Sequence, residues 1–311
     1  MWDYEGFVAK AQLYFHRAES AHSADDAAVT WLLLGLEFLM RSPLAKIHPT
    51  LLADPTGDSI MHAAGYPAAP RKDGALPQPK SITATTVRLR LSRIVPDFAT
   101  VDEEAAYLLG LRNAELHTSS SALNISDHHW LPKFVRVTEV LCAHLHLDPD
   151  DVVGEELMRH GRGLAAEADK KLRHEVSERI RLAKAYFNSL PSAPPQEAPP
   201  AKMFPSWAWT MKDYEALKER ITEKVPCPAC GSDADETLEL ARATREQLID
   251  DQIVRDVVYL ATALACPGCN LSLTSNSEIA AADLEQQRTW TVETSIQDRY
   301  LEDYEPDYGN D

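Results

Sequence analysis

The chain has 311 residues, enough for two domains, and its 44% hydrophobic and 25% charged residues are typical of a soluble globular protein. Its net charge of −17 argues against general binding of nucleic acid, because an acidic surface repels a polyanion. The most apolar run, residues 31–40, is too short to span a bilayer, and the first residues lack the features of a signal peptide. We therefore expect a cytoplasmic protein that does not associate with membranes.

The first 150 residues have a mostly helical pattern. Apolar residues recur at helical spacing and predict helices over 4–21, 27–40, 83–94, 101–117 and 127–146. The second of these helices is apolar nearly all round, as expected for the middle of a bundle. Residues 41–80 hold seven prolines, which favour an irregular insertion with one short helix near 58–64. Asp127 is expected to cap the last helix.

Three further segments follow this helical half. Residues 151–190 carry mixed charges at helical spacing and are predicted to form a charged helical extension that projects into solvent. Residues 191–205 contain six prolines and are predicted to be a semi-rigid linker. Residues 206–311 combine β-prone runs with two cysteine pairs and end in an acidic tail. The predicted fold class is mainly α, with an N-terminal helical bundle and a small C-terminal α+β domain.

Four of the five cysteines lie in two C-x-x-C pairs, Cys227 with Cys230 and Cys266 with Cys269. Each pair precedes a Gly or Asn that can turn the backbone amides toward the sulfurs, and four thiolates match tetrahedral zinc at about 2.3 Å. The 35 residues between the pairs exceed the usual spacing of roughly 15–20, so we expect a zinc ribbon with an inserted hairpin or helix. Iron is the alternative metal, because rubredoxin-like sites also use C-P-x-C turns. Four protein ligands leave no open position for water, which makes the expected role of the metal structural.

Polar residues follow the apolar face of the helix predicted over 101–117. Arg112 and His117 lie roughly 140° apart at about 100° per residue, whereas Asn113 and His117 share one face. These residues could simply end a helix, with Arg112 paired to Glu115 and Asn113 hydrogen-bonded to His117. They could also form a catalytic group.

Glu37 is a further candidate, because an ionisable group in so apolar a helix is costly unless it is paired. It could accept a hydrogen bond from Arg112 or His117, or it could lie in water at the rim of the bundle.

The segment Arg112-Asn113-Ala114-Glu115-Leu116-His117 resembles the R-x4-6-H motif of the HEPN superfamily, in which the residue after the arginine is usually polar. Its surroundings are also similar, since the motif ends an apolar helix, another apolar helix precedes it, and a third follows. The resemblance covers roughly residues 1–150 as a HEPN-like helical domain. It implies metal-independent cleavage of RNA by members that keep the motif, while other members bind nucleotides or act as scaffolds.

The resemblance implies attack of a ribose 2′-oxygen on the adjacent phosphate, which leaves a 2′,3′-cyclic phosphate. His117 is then the general acid/base, since an imidazole with a pKa of about 6.5 exchanges protons near neutral pH. Arg112 is the phosphate clamp, because a guanidinium stays charged and can bind two oxygens at once. Asn113 would donate a positioning hydrogen bond, and Glu37 would hold Arg112 or His117 in place.

Family members typically pair two such domains so that both motifs line one cleft, and we therefore expect a homodimer with RNA as the substrate. Similar modules act as toxins or as effectors of antiviral defence, and the zinc ribbon could bind a regulatory protein or a nucleic acid. One rival hypothesis is a non-catalytic zinc-ribbon protein that binds nucleic acid or protein and dimerises through its helical domain. Another is a structural subunit of a larger complex.

Overall fold

The computed structural model describes residues 2–20, 26–66, 78–119, 121–190 and 219–296. The chain divides into two compact units, Met1–Ala168 and Asp169–Asp311. The first unit is helical and the second is built on a curled antiparallel sheet, which confirms the predicted fold class at this level. The division falls inside one long helix, Glu155–Ser189, within the range that the sequence indicated as a separate extension. The predicted linker and the acidic tail lie outside the described residues.

Helices account for most of the described residues up to Ser189. They are α1 (Tyr4–Ser20), α2 (Asp26–Ile47), α3 (Gly57–Ala63), α4 (Ala84–Ile94), α5 (Asp102–His117), α6 (Asp127–Leu145), α7 (Pro149–Val153) and α8 (Glu155–Ser189). A side-chain cap explains where α4 begins. Thr83 precedes α4 and its hydroxyl accepts the amide of Thr86 at 3.2 Å. The cap of α6 was predicted one residue too late, because Asp127 is the first helical residue; Ser126 occupies the N-cap position without a side-chain hydrogen bond.

Helix α2 lies at the centre of the first unit. Its residues Leu36, Leu39 and Leu44 recur at a spacing of three to five and are at most 1% exposed. The helix does not end at Met40 as predicted but continues through Pro43 to Ile47. A proline inside a helix costs about 3 kcal/mol, since it removes one hydrogen bond and crowds the preceding turn. Burial of the apolar residues on both sides of Pro43 offsets this cost.

Within the described parts of the chain, α2 is also the one helix whose length and hydropathy would suit a membrane span, over Ala27–Ile47. Of the most apolar window, 56% is buried inside the helical unit. A core helix passes the same test of length and composition, so this property does not indicate a membrane.

The described residues of the second unit form six strands, all paired antiparallel. They are β1 (Arg220–Pro226), β2 (Asp233–Ala243), β3 (Gln247–Ile249), β4 (Gln252–Ala265), β5 (Ser272–Leu273) and β6 (Gln287–Ser295), with the short helix α9 (Asn276–Ala281) before β6. The order is β1-β2-β4-β3, and β5 and β6 also pair with β4. The hairpin expected between the two cysteine pairs is therefore present as β2 to β4.

The second half of α8 packs against this sheet. Val176 and Ala183 are buried in the same apolar cluster as the strands, and Leu172, Ile180 and Phe187 flank them. These five positions are three to four residues apart and form one stripe along the helix. The prediction of a helix projecting into solvent was therefore wrong for this half, because the stripe was hidden among the charged residues of the opposite face.

Candidate functional site

The two cysteine pairs form two turns with the same backbone geometry. In the first turn the amide of Gly231 donates to the carbonyl of Cys227 at 2.9 Å, and in the second the amide of Asn270 donates to the carbonyl of Cys266 at the same distance. Gly231 and Asn270 have φ angles of 76° and 60°, in the left-handed region. Gly and Asn adopt this region at the least cost, which explains their place after each pair.

The turns bring the four sulfurs together. The Sγ atoms of Cys227 and Cys269 are 3.5 Å apart, those of Cys230 and Cys266 are 3.6 Å apart, and all four lie within 4.8 Å of one another. A tetrahedral zinc with bonds of about 2.3 Å requires sulfurs roughly 3.8 Å apart. A disulfide requires about 2.0 Å, and all four cysteines are free. The four predicted ligands therefore form a group that could bind one metal ion.

The surroundings of the sulfurs also favour a cation. Burial raises the pKa of the Cys266 and Cys269 thiols. Burial acts on Cys230 in the same direction, but hydrogen bonds with Ser232, Cys266 and Cys269 together outweigh it and lower the pKa of that thiol to about 7. A metal ion offsets the cost of burying thiolates, because a coordinated thiol is deprotonated. The amide of Ala229 points at the Cys227 sulfur from 3.4 Å, as expected around a thiolate ligand.

The second group of predicted residues lies in the helical unit, around Glu37. The guanidinium of Arg112 on α5 forms an ion pair with Glu37 Oε2 on α2. The other oxygen, Oε1, lies 2.8 Å from Nη1 of Arg41, one turn further along α2. The three side chains are 9–16% exposed. Glu37 thus joins two arginines from two helices. Of the alternatives that the sequence left open for Glu37, the contact with Arg112 is the one that forms.

Arg112 is only partly satisfied in this arrangement. Its Nε is buried and has no acceptor among the described residues. Glu115, which could have paired with Arg112 along the helix, instead accepts the backbone amide of Leu123 at 3.2 Å. The pairing of Arg112 with Glu115, which the ordinary helix-end interpretation required, therefore does not form.

Asn113 and His117 are exposed, and His117 is the last residue of α5. In the part of the chain that the structure covers, neither side chain makes a hydrogen bond, so both remain accessible to a ligand. The predicted residues thus form a partly buried pair, Arg112 with Glu37, and an exposed pair, Asn113 with His117, on α5.

Arg41 was not among the predicted site residues, because it falls at the start of the segment that was expected to be irregular. Glu37 and Arg41 are four residues apart, and this spacing of opposite charges is a known helical signal. A predicted helix that continued two turns beyond Met40 would have included this contact.

Comparison of the chain with models of known protein families, with curated protein sequences and with solved structures found no match. The resemblance to the HEPN superfamily gains no support from these comparisons.

Proposed function

We propose that this chain is a metal-independent endoribonuclease of the HEPN type, with a second unit that a structural zinc ion holds together. The observation that carries the proposal is the arginine of the motif. Arg112 is held by a carboxylate from the apolar helix α2, while its buried Nε has no acceptor among the described residues. The Nε of Arg242 in the sheet unit is also buried without an acceptor there. The support for a functional Arg112 therefore comes from its unpaired donor together with its place in the R-x4-H motif.

The proposed chemistry needs a base, an acid and a positive charge. A base takes the proton of the ribose 2′-hydroxyl as its oxygen attacks the phosphorus, and an acid protonates the departing 5′-oxygen. Arg112 stabilises the charge that develops on the phosphate oxygens. One imidazole cannot be both base and acid at the same moment, so a homodimer that supplies two copies of His117 meets the requirement. Asn113 orients the phosphate from the same helix face as His117.

Glu37 adds a condition to this mechanism. Arg112 is 13% exposed and already paired, so a phosphate must displace Glu37 or reach the remaining edge of the guanidinium. A single chain would then have little activity. Cleavage would depend on a second chain or a trigger that breaks the ion pair of Arg112 with Glu37. This property suits a cytoplasmic toxin or antiviral effector, whose zinc unit would receive the regulatory protein or nucleic acid.

Zinc is the metal proposed for the second unit, because a compact set of four thiolates with no water position fits it well. Its role is structural, and no step of RNA cleavage passes through it.

A non-catalytic role is the second candidate, and a specific observation favours it. The contact of Arg112 with Glu37 joins α5 to α2 and covers most of the guanidinium. An arginine used only in this way would fasten two helices, and the helical unit would serve dimerisation while the metal unit binds a partner.

RNA cleavage by the purified full-length chain distinguishes these candidates. We expect the wild-type protein to cut RNA in magnesium-free buffer and to leave 2′,3′-cyclic phosphate ends. His117→Ala should lower the rate by about a hundredfold or more, because general acid/base groups contribute roughly 10²–10⁴. His174→Ala is the matched control, since His174 is also exposed on a helix but lies far along the chain on α8.

Equal cleavage by the His117→Ala and wild-type proteins would contradict the proposed catalytic role. Intact RNA with all three proteins, including after addition of a cell extract as a source of activator, would favour the non-catalytic candidate.

A further inference from the structure

Four aromatic side chains form a continuous row on the surface of α1 and α2. Phe7 and Tyr14 belong to α1, whereas Trp31 and Phe38 belong to α2. The ring centroids of Phe7 and Phe38 are 6.4 Å apart, and Tyr14 links Phe38 to the next ring at a centroid distance of 5.2 Å. The centroids of Tyr14 and Trp31 are 5.4 Å apart. All four side chains are half-buried, so this aromatic row is part of the molecular surface.

Two cations lie over the aromatic row. Nζ of Lys10 is 4.3 Å from the centre of the Phe38 ring. Cζ of Arg17 is 5.3 Å from the centre of the Tyr14 ring and 5.4 Å from that of Trp31. Both cations are exposed, and among the described residues neither forms an ion pair. Their contacts with the rings contribute roughly 0.5–1 kcal/mol each and leave the charges accessible to an anion.

The spacing of residues along α1 brings the rings and the cations together. Phe7, Lys10, Tyr14 and Arg17 are three to four residues apart and therefore share one face of the helix. Leu13 lies beside this face and is 49% exposed. The core of the unit uses a neighbouring stripe of buried residues, which are Ala11, Phe15 and Ala18. The packing of α1 into the core therefore does not account for the stripe that carries the cations.

A cavity of about 320 Å³ opens at the Phe7 end of the aromatic row. Its lining includes Phe7 and Phe38 of the row, together with Lys10 and Trp2. The volume is near the lower limit of small-molecule sites, roughly 300–1,000 Å³, and gives room for one large side chain of a partner. An aromatic side chain suits this lining, because rings pack on one another at offset or edge-on angles.

We propose that the aromatic row is an interaction surface for an acidic segment of a partner protein, which inserts one aromatic side chain into the cavity. Tryptophan, tyrosine and arginine are the residues most enriched among those that dominate the binding energy of interfaces, and Arg17 contacts both Tyr14 and Trp31. Two exposed cations on this face indicate an anionic partner, even though the chain has a net charge of −17. Solvent screens charges more than about 8 Å away, so the local cations determine what binds here.

A peptide fits this surface better than a membrane or a nucleic acid. Anionic membranes are typically bound by clusters of roughly four to eight Lys and Arg, and the aromatic row has two. A long polyanion gains little from two phosphate contacts while the rest of an acidic chain repels it. A short segment needs only two carboxylates beside its apolar side chains. The proposal does not depend on the nuclease activity, because it concerns other side chains.

The test is calorimetric titration of the full-length protein with a synthetic peptide composed of glutamate and tyrosine. We expect saturable binding that weakens by about tenfold when alanine replaces the tyrosines and is lost when lysine replaces the glutamates. Lys10→Ala and Arg17→Ala should each weaken the binding by about fivefold or more, because each removes a charge-assisted contact with a carboxylate.

Lys133→Ala is the matched control, since Lys133 also lies over a ring of the helical unit, that of Tyr107 at 5.2 Å, but outside the aromatic row. This variant should bind the peptide as the wild-type protein does. Equal weakening by Lys10→Ala and Lys133→Ala would overturn the proposal, as would a lack of binding at millimolar peptide. Urea unfolding of each variant tests a purely structural role. Lower stability of Arg17→Ala with unchanged peptide binding would show that the cation only fastens the two helices.

Two other ligands complete the test. Vesicles that contain phosphatidylserine and a short RNA are each titrated into the wild-type protein and into the Lys10→Ala and Arg17→Ala variants. Binding of the peptide, together with vesicle and RNA binding that is absent or unchanged in the variants, supports the proposal. Binding of vesicles or RNA that depends on both cations, with no binding of the peptide, would replace the proposed partner by a membrane or a nucleic acid.

Discussion

At the scale of single residues, the carboxylate of Glu37 affects both the stability and the proposed function of the helical unit. It balances two guanidinium groups, and all three side chains are at most 16% exposed. Charges placed so far from water are tolerated only when they are paired, and removal of one partner leaves the others uncompensated. The same carboxylate holds the motif arginine, so the stability of the first unit and its proposed nuclease function both depend on this position.

Glu37→Gln should therefore destabilise the helical unit. The amide keeps the shape of the side chain but leaves Arg41 and Arg112 without a counter-charge, and we expect a loss of roughly 2–3 kcal/mol. The measurement is urea unfolding followed by the helical circular-dichroism signal. The same substitution should raise the exposure of Arg112 and, if the nuclease proposal holds, increase RNA cleavage by the unstimulated protein.

Glu139→Gln provides the control. Glu139 also pairs with an arginine, Arg162 at 2.7 Å, but the two side chains are 41% and 38% exposed. Solvent screens such a pair, and a change of roughly 0–1 kcal/mol is expected. An equal loss of stability in the two variants would show that Glu37 has no special role.

At the scale of elements, local signals in the sequence located some features and missed others. The cap at Thr83 and the turn residues Gly231 and Asn270 were predictable, because each depends only on neighbours a few residues away. The contact of Arg41 with Glu37 was missed because Pro43 suggested an end to the helix that burial overrides. Strands β1 and β6 were missed as well, since their pairing depends on residues of β2 and β4.

The two cysteine turns lead to a prediction about the metal. They contribute two ligands each, so loss of one thiolate from either should release the ion. Cys269→Ser should therefore lower the zinc content measured by native mass spectrometry and make the sheet unit sensitive to protease. Structural zinc in small domains contributes roughly 10 kcal/mol or more to folding, so we expect that the apolar core of this unit does not compensate for the loss of the ion.

Cys142→Ala is the matched control, since Cys142 is free and fully buried in the helical unit. That variant should retain a single zinc ion and its resistance to protease in the sheet unit. Unchanged metal content after Cys269→Ser would argue against the four-sulfur site.

At the scale of the whole molecule, the proposed chemistry requires more than one chain. A single His117 cannot accept the 2′-hydroxyl proton and protonate the 5′-oxygen at once, and Arg112 lies roughly 140° around the helix from it. A cleft between two copies of α5 would supply two imidazoles and two guanidiniums. A symmetric dimer presents the same surface twice, so both motifs face the dimer axis or neither does.

Mixing the wild-type protein with His117→Ala tests whether the cleft is shared. Cleavage in a shared cleft needs the imidazoles of both chains, so a dimer of one wild-type and one His117→Ala chain should be inactive. In an equal mixture, random exchange lowers the fraction of wild-type dimers from a half to a quarter, so the cleavage rate should fall by about half. Cleavage rates measured before and after exchange, with light scattering to verify the dimer, give the answer. An unchanged rate after exchange would place an independent site in each chain, and full activity in a monomeric wild-type fraction would remove the need for a second chain.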